Sequence, residues 1–536
     1  MMMMMMMIVV ILVVLQQMIV AVSIIETVSP QMGYNTWNRY GCNINDSVIR
    51  DTVDAVVSLG LRDLGYVYIN IDDCWQAPQR VNGRIVPDAT RFPNGLKDLS
   101  DYIHMNGLKF GIYSSAGFKT CQAYPASLGM EAIDVSSFSE WGVDYLKYDN
   151  CYEDHAAPQK RFSFMSQAIK SSEREMFYSL CEWGRENPAA WAKSINANSW
   201  RVSNDIKDDW NSIVSNYEAS SSLWRYADHA WNDIDMLEVG NGGCTNNEYK
   251  AHFTIWAMLK SPLIIGNDLR NMNRNGTIYS ILTNAEVIAV NQDSLGHQAR
   301  RIWSSTFDER HPSLIATKCS SGSSHVYEDF ISDQQWTLND DGTLMNKESG
   351  LYLMENGVDQ LFSVTVTSDP LLATKWEAGS IDGGSITSVY SGRCLEVSKF
   401  ELDAKTQGKR VQTGICLKGI VKDEKVYDTR EHQSWSNPST YLLNLYQRQC
   451  LTIDRDAPSG SSEIWMAALS DGAVAVMFLN KGQHPTEMAI TFDSLNLGTD
   501  NPVNVRDLWS HTTEVRMNEV SVVVPSHDVS LYKLFH

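Results

Sequence analysis

Between Met32 and Asp268 one pattern recurs: a short apolar run, a polar loop, then a stretch with apolar residues at helical spacing. The apolar runs are MGYNTW, YVYINIDD, LKFGIYSS, VDYLKYDN, FYSLCEW, SWRVSND, AWNDIDML and PLIIGND, eight in all. Short apolar runs bounded by polar loops read as strands. Helical stretches lie between most of them. SVIRDTVDAVVSLGLRDLG repeats its apolar residues at helical intervals and stops at a glycine. Eight such units in succession predict an α/β fold, a (β/α)8 barrel.

Polar residues collect at the C-terminal ends of the runs: Asp72 and Asp73, Tyr113, Lys147 and Asp149, Glu182, Asp205 and Asp235. Barrel enzymes build their sites at that face, and a merely stable barrel has no need to crowd carboxylates there. The fourth run poses the problem most sharply. In VDYLKYDNCYEDH, Val143 to His155, strand alternation sets Tyr145, Lys147 and Asp149 on one face, Leu146 and Tyr148 on the other. Charges on an inward face cost several kcal/mol unless they are paired or open onto a site. A salt bridge at a strand end and a catalytic carboxylate both meet that condition.

At 536 residues the chain exceeds one ordinary domain. A net charge of −20 argues against nucleic acid, whose phosphates need a basic surface. It suits a soluble protein of an acidic compartment. The N-terminus is apolar, with no charged side chain before Glu26. Ala21-Val22-Ser23 places small residues where a signal peptidase cuts, so residues 1–23 are expected to be a signal peptide. An uncleaved membrane anchor is the other reading of the same run. Secretion makes disulfides the default for the ten cysteines. It also gives meaning to two glycosylation sequons, at Asn45 and Asn275.

The barrel is expected over residues 24–301. From 302 to 456 helical periodicity fades, and Gly, Ser, Thr and Asp rise between short strands. Three units repeat a Trp, a strand, a turn and a final strand, led by Trp336, Trp376 and Trp435. Their Q-x-W-like pieces resemble ricin-B-type β-trefoil lectin modules. Such a module either binds glycans or serves as a structural insert with core tryptophans. Residues 457–536 alternate apolar and polar positions in EIWMAAL, AVAVMFLN, EMAITF, VNVRDLW and VSLYKLF, the pattern of an antiparallel β-sandwich.

Seven segments of the barrel carry a specific resemblance. MGYNTWNRYGCNIND, YINIDDCW, GIYSSAGFKTC, WGVDYLKYDNCY, CEWG, WNDIDMLEVGN and AVNQDSLG resemble, in order, the α-galactosidase (melibiase) family of glycoside hydrolases. The final sandwich is similar to that family's C-terminal domain. The trefoil-like insert departs from the common two-domain plan.

The resemblance implies a retaining double displacement on terminal α-galactosyl residues, with Asp149 as nucleophile and Asp205 as acid/base. Such a mechanism needs one ionised carboxylate and one carboxyl protonated at working pH, about 5–5.5 Å apart. Asp149 is expected to stay ionised beside Lys147, and Asp205 to have a raised pKa. The family pair Asp72 and Asp73 would accept hydrogen bonds from sugar hydroxyls, with Lys147 donating to the 3- or 4-OH. Trp37 would pack on the sugar's apolar face, Tyr113 line the pocket, and Arg201 and Asp235 lie near the 2-OH. Glu182 and Trp183 would fill the space that relatives acting on N-acetylgalactosamine leave for the acetamide. Asp72 and Asp73 argue against β-L-arabinopyranosides, which lack the 6-CH₂OH. The rivals are those two family activities and a catalytically inactive galactose-binding protein. By resemblance Cys42 pairs with Cys74 and Cys121 with Cys151; Cys394 with Cys416 is a plausible trefoil pair. No metal motif is evident and the chemistry needs no cofactor. The expected partners are a galactosyl oligosaccharide, polysaccharide or glycolipid, with no nucleic acid. The location expected is secreted, lysosomal or vacuolar. The sequence leaves oligomeric state open, a homodimer included.

Overall fold

The computed structural model describes residues 28–304 apart from 222 and 228, residues 461–536 apart from 496, 499 and 500, and the backbone of separate strands between 314 and 453. The expected signal segment lies outside these residues. Residues up to Arg300 form one compact unit with Trp465–His536, and Arg301–Ile464 form a second.

Each of the eight apolar runs contains one strand: β1 Met32–Asn35, β2 Tyr68–Asn70, β3 Lys109–Ser115, β4 Tyr145–Asp149, β5 Phe177–Leu180, β6 Ser199–Arg201, β7 Trp231–Asp233 and β8 Leu263–Ile265. They pair in parallel in the order β7-β6-β5-β4-β3-β2-β1-β8. The sheet closes just past β7, where Leu237 bridges Ile265 in parallel. Most strands stop short of the run that announced them. Asp72, Asp73, Asp205 and Asp235 therefore stand in the loops at the barrel's C-terminal end.

The strand period sorts the side chains of β4. Leu146 and Tyr148 join the core shared with the helices, and Tyr148 meets Phe162 of helix Pro158–Lys170 edge-on at 5.4 Å. Tyr145, on the other face, stacks on Phe177 of β5 at 4.9 Å, with Tyr68 of β2 beside them. These rings fill the barrel below the mouth. On the outer layer, helix Asp46–Ser58 is capped by Asn45, whose side chain accepts the Val48 N–H, and it buries Ile49, Val53 and Val56 along one face.

The C-terminal strands are antiparallel. Val474–Asn480 pairs with Asp528–Phe535, which also pairs with Val503–Asp507. Thr486–Thr491 pairs with Glu519–Val524 in a separate two-stranded sheet. Two strands, Thr512–Arg516 and Glu519–Val524, were not among the expected ones; the first is exposed at nearly every position and so shows no apolar alternation. Trp465, Met477, Leu508 and Leu531 enter the same core as the barrel's outer helices. In the second unit each of Trp336, Trp376 and Trp435 begins a strand antiparallel to the next: Trp336–Leu338 with Leu344–Asn346, Trp376–Ala378 with Ile386–Ser388, Trp435–Ser436 with Leu443–Asn444. The proposed Cys394–Cys416 pair falls outside the described residues.

Closure leaves no slack at Gly33, which sits between Tyr68 of β2 and Ile264 of β8. A Cβ there would lie 2.3 Å from the Tyr68 carbonyl oxygen, a backbone atom held in the sheet. Gly33→Ala is expected to cost about 2–3 kcal/mol in urea unfolding. A change under about 0.5 kcal/mol would contradict a tightly closed β1–β2 seam.

Candidate active site

The mouth is organised by two cations that rise from alternate strands. Lys147 of β4 donates to Asp72 Oδ2 at 2.8 Å. The same oxygen accepts from Asn35 Nδ2 at 2.9 Å, and Asp72 Oδ1 accepts the Asp73 N–H. Burial alone would lower the Lys147 pKa, but Asp72, Asp149 and Asp235 outweigh it and push it well up. Asp149 ends the same strand and is buried. Its Oδ2 accepts the Tyr113 O–H at 2.8 Å and its Oδ1 accepts the Asn150 N–H at 2.9 Å. The Lys147 ammonium lies over the Tyr113 ring at 5.5 Å.

Arg201 of β6 is the second cation, 3% exposed. Its Nη2 reaches Asp205 Oδ1 at 3.0 Å and its Nη1 reaches Asp235 Oδ1 at 3.0 Å. Asp235 is buried with φ 82°, and its Oδ2 accepts the Ile206 N–H at 2.8 Å. It thus orients both Arg201 and the loop beside Asp205. The Asp205 side chain itself is 69% exposed. Trp183, φ 59°, hydrogen-bonds to Asp205. Gly184 follows at φ 73°, where a Cβ would lie 2.3 Å from the Val202 carbonyl oxygen, so this tight approach of the β5 and β6 loops requires glycine.

The two acids shift in directions opposite to expectation. Burial pushes the Asp149 pKa up, with Lys147, Tyr113 and Asn150 opposing and Asp205 adding to it. Burial acts on Asp205 in the same direction, but Arg201, Lys147 and Trp183 outweigh it and lower the pKa. Asp205 was expected to be the raised carboxyl and Asp149 the ionised one. The pair reverses because Arg201 bonds Asp205 directly, whereas Lys147 bonds Asp72.

The other sequence-derived residues fall as follows. Trp37 is half-buried in a helical turn just past β1, and its N–H bonds Asn35 Oδ1 at 2.8 Å. Asp73 accepts the Cys74 and Gln122 N–H groups. The Glu182 side chain is buried, and its carboxylate accepts the Glu186 N–H of its own loop. Ser179 and Cys181 line the barrel interior with Arg201 and Asp235. Cys181 Sγ lies 3.6 Å from Arg201 Nη1. Sequence reasoning missed Cys181, Asn35 and Asp233, and period two at Ser179 and Cys181 was the signal for the first. Cys42–Cys74 and Cys121–Cys151 are both formed. Among the described residues Cys121, Asp149 and Cys151 bring three potential metal ligands together, but the two sulfurs are joined as a disulfide. Asn45 and Asn275 are exposed.

Two known families match the chain: the one described as alpha galactosidase A over residues 29–293, and the alpha galactosidase C-terminal beta sandwich domain over residues 459–534. Alpha-galactosidase 2 of Arabidopsis thaliana is 48% identical over 310 residues, spanning 56% of this chain and 78% of that protein. The chain belongs to the α-galactosidase family of glycoside hydrolases. The alpha-galactosidase of Cyamopsis tetragonoloba is 52% identical over 277 residues, 51% of this chain and 67% of that protein. Among solved structures, alpha-galactosidase I from Mortierella vinacea superposes with a TM-score of 0.64 at 30% identity, covering 96% of this chain and 98% of that one. Hydrolysis of an α-galactosyl bond is the reaction that the mouth of this barrel has to explain.

Four acids of this chain are raised strongly by burial. Burial pushes Asp73 and Asp233 up to about 6, and Glu182 and Glu238 up to about 7. An unfolded chain ionises these groups near their ordinary values, so the folded state keeps protons that the unfolded state has lost. Their stabilisation is complete below about pH 4 and is lost as pH rises through about 6–7. Buried His252, pushed down to about 3, opposes this below its ordinary value of 6.5, but it is one group against four. Carboxyls lowered by partners, such as Asp268, act below this range. The melting temperature is expected to fall between pH 5 and pH 7.5, and Glu182→Gln, which mimics the protonated acid, to reduce that fall. A melting temperature that rises over the interval would contradict the assignment.

Proposed function

We propose that this chain hydrolyses terminal non-reducing α-D-galactosyl residues by double displacement, with Asp149 as the nucleophile and Asp205 as the acid/base. The contrast between these two carboxylates carries the proposal. Asp149 is buried and aimed through both oxygens by Tyr113 and Asn150. Asp205 stands open to solvent on Arg201. A nucleophile has to be aimed and shielded; an acid/base has to meet the leaving oxygen and then water.

In the first step an Asp149 oxygen attacks the anomeric carbon as the bond to the leaving oxygen breaks. That oxygen takes the Asp205 proton, and a galactosyl–aspartate ester remains. In the second step the Asp205 carboxylate takes a proton from water. The water oxygen displaces Asp149, and two inversions restore the α configuration. Asp205 must hold a proton when substrate arrives. A galactoside seated above Arg201 strips water from Asp205 and raises its pKa, while the Lys147 charge and the Tyr113 O–H favour ionised Asp149.

Asp72, Asp73 and Lys147 supply charge-assisted bonds to the sugar hydroxyls, and Trp37 supplies an apolar face. Cys181 and Trp183 occupy the space beside the 2-OH. The indole there favours galactose over N-acetylgalactosamine. The three Trp-led hairpins of the second unit support a ricin-B-like module that tethers the enzyme to glycans. The apolar N-terminus and two disulfides support a secreted, lysosomal or vacuolar location.

Asp149→Asn is expected to lower kcat/KM for p-nitrophenyl α-galactoside at pH 5 by about 10⁴-fold or more. NMR of the wild-type reaction should show α-galactose as the first product. Near-normal activity of the variant would remove Asp149 from its role, and β-galactose as first product would overturn retention.

A further inference from the structure

The helix Trp210–Glu218 follows the Asp205 loop directly and is capped by Asp209, which accepts the Ser212 N–H. From its second turn Asn216 reaches back. The Asn216 amide donates to the Asn204 carbonyl at 3.0 Å and to the Ile234 carbonyl at 3.1 Å, and the residue is 3% exposed. One buried amide therefore ties the residue before Asp205 to the residue before Asp235. Asp235 in turn holds the residue after Asp205, through the Ile206 N–H.

The far side of this helix belongs to the C-terminal sandwich. His527 stacks on Trp210, the first helical residue, at 4.9 Å with planes 18° apart. Its Nδ1 lies 2.7 Å from Glu248 Oε1, and Glu248 completes a capping box with Thr245 on the next barrel helix. At the other end Lys481 donates to Glu218 Oε1 at 3.0 Å and covers the Tyr217 ring at 5.8 Å. Trp465 meets the same ring edge-on at 6.1 Å. The sandwich grips the helix at both ends, and none of these contacts involves a residue of the mouth.

We propose that the sandwich positions the acid/base: His527 and Lys481 hold the helix, and Asn216 passes that hold to Asn204 and so to Asp205. The inference rests on the role assigned to Asp205. All three are positioning residues. Proton delivery needs the carboxyl within hydrogen-bond reach of the leaving oxygen, and a misplacement of about 1 Å costs up to about 10²-fold.

Leaving-group dependence isolates this effect. A 2,4-dinitrophenolate departs without a proton, whereas the alkoxide of methyl α-galactoside does not, and kcat/KM reports the first chemical step. Both substrates are compared on the full-length wild type and on Asp205→Ala, Asn216→Ala, His527→Ala and Lys481→Met, with a melting temperature for each. Asn216→Ala is expected to lose about 10-fold more kcat/KM on the methyl galactoside than on the dinitrophenyl galactoside. His527→Ala and Lys481→Met should lose about 3-fold more, in the same sense. They decide the matter if Asn216→Ala does not fold. Equal losses on the two substrates, or none, in folded variants overturn the inference. Asp205→Ala separates the two failures. If it is itself unselective, the acid/base role falls; if it is selective and the others are not, only the positioning role falls.

Discussion

Four carboxylates, Asp72, Asp149, Asp205 and Asp235, stand at one end of the barrel, and Lys147 and Arg201 make that arrangement tolerable. Three of the four acids are buried. Buried acids without partners would protonate or unfold the site. Lys147 bonds Asp72 and acts electrostatically on Asp149; Arg201 bridges Asp205 and Asp235. Each cation comes from a strand whose alternation turns it inward, so closure of the barrel brings the charges together. The fold, the charge balance and the chemistry share those two side chains.

Much of this was legible in the chain. Eight apolar runs located eight strands, because buried parallel strands are apolar on both faces and stand out against polar loops. Period two placed Lys147 and Asp149 on one side of β4. The same rule, applied past the end of β5, would have found Cys181. The directions of the two pKa shifts were not legible. Arg201 lies only four residues from Asp205, but Lys147 finds Asp72 across 75 residues, a contact that no pattern along the chain shows. The exposed strand Thr512–Arg516 was missed because nothing alternates where both faces meet water.

The barrel and the sandwich also belong together more closely than their sequence textures suggest. Trp465 and Leu531 lie in the barrel's outer core, Arg506 pairs with Glu286, and the Asn284 amide donates to the Leu508 carbonyl. The second unit enters between residues 300 and 465, so the chain leaves the first unit and returns to finish it. The contacts described around Asp205 are all made by residues of the first unit.

The central claim is that Asp149 forms a bond to the sugar. The direct measurement is mass spectrometry of the full-length protein after incubation with 5-fluoro-α-galactosyl fluoride, whose glycosyl-enzyme turns over slowly. A single fluorogalactosyl adduct, mapped by proteolysis to Asp149 in the peptide around YLKYDNCY, is the expected result. An adduct on another carboxylate, or turnover of the reagent with none trapped at any concentration, would contradict it.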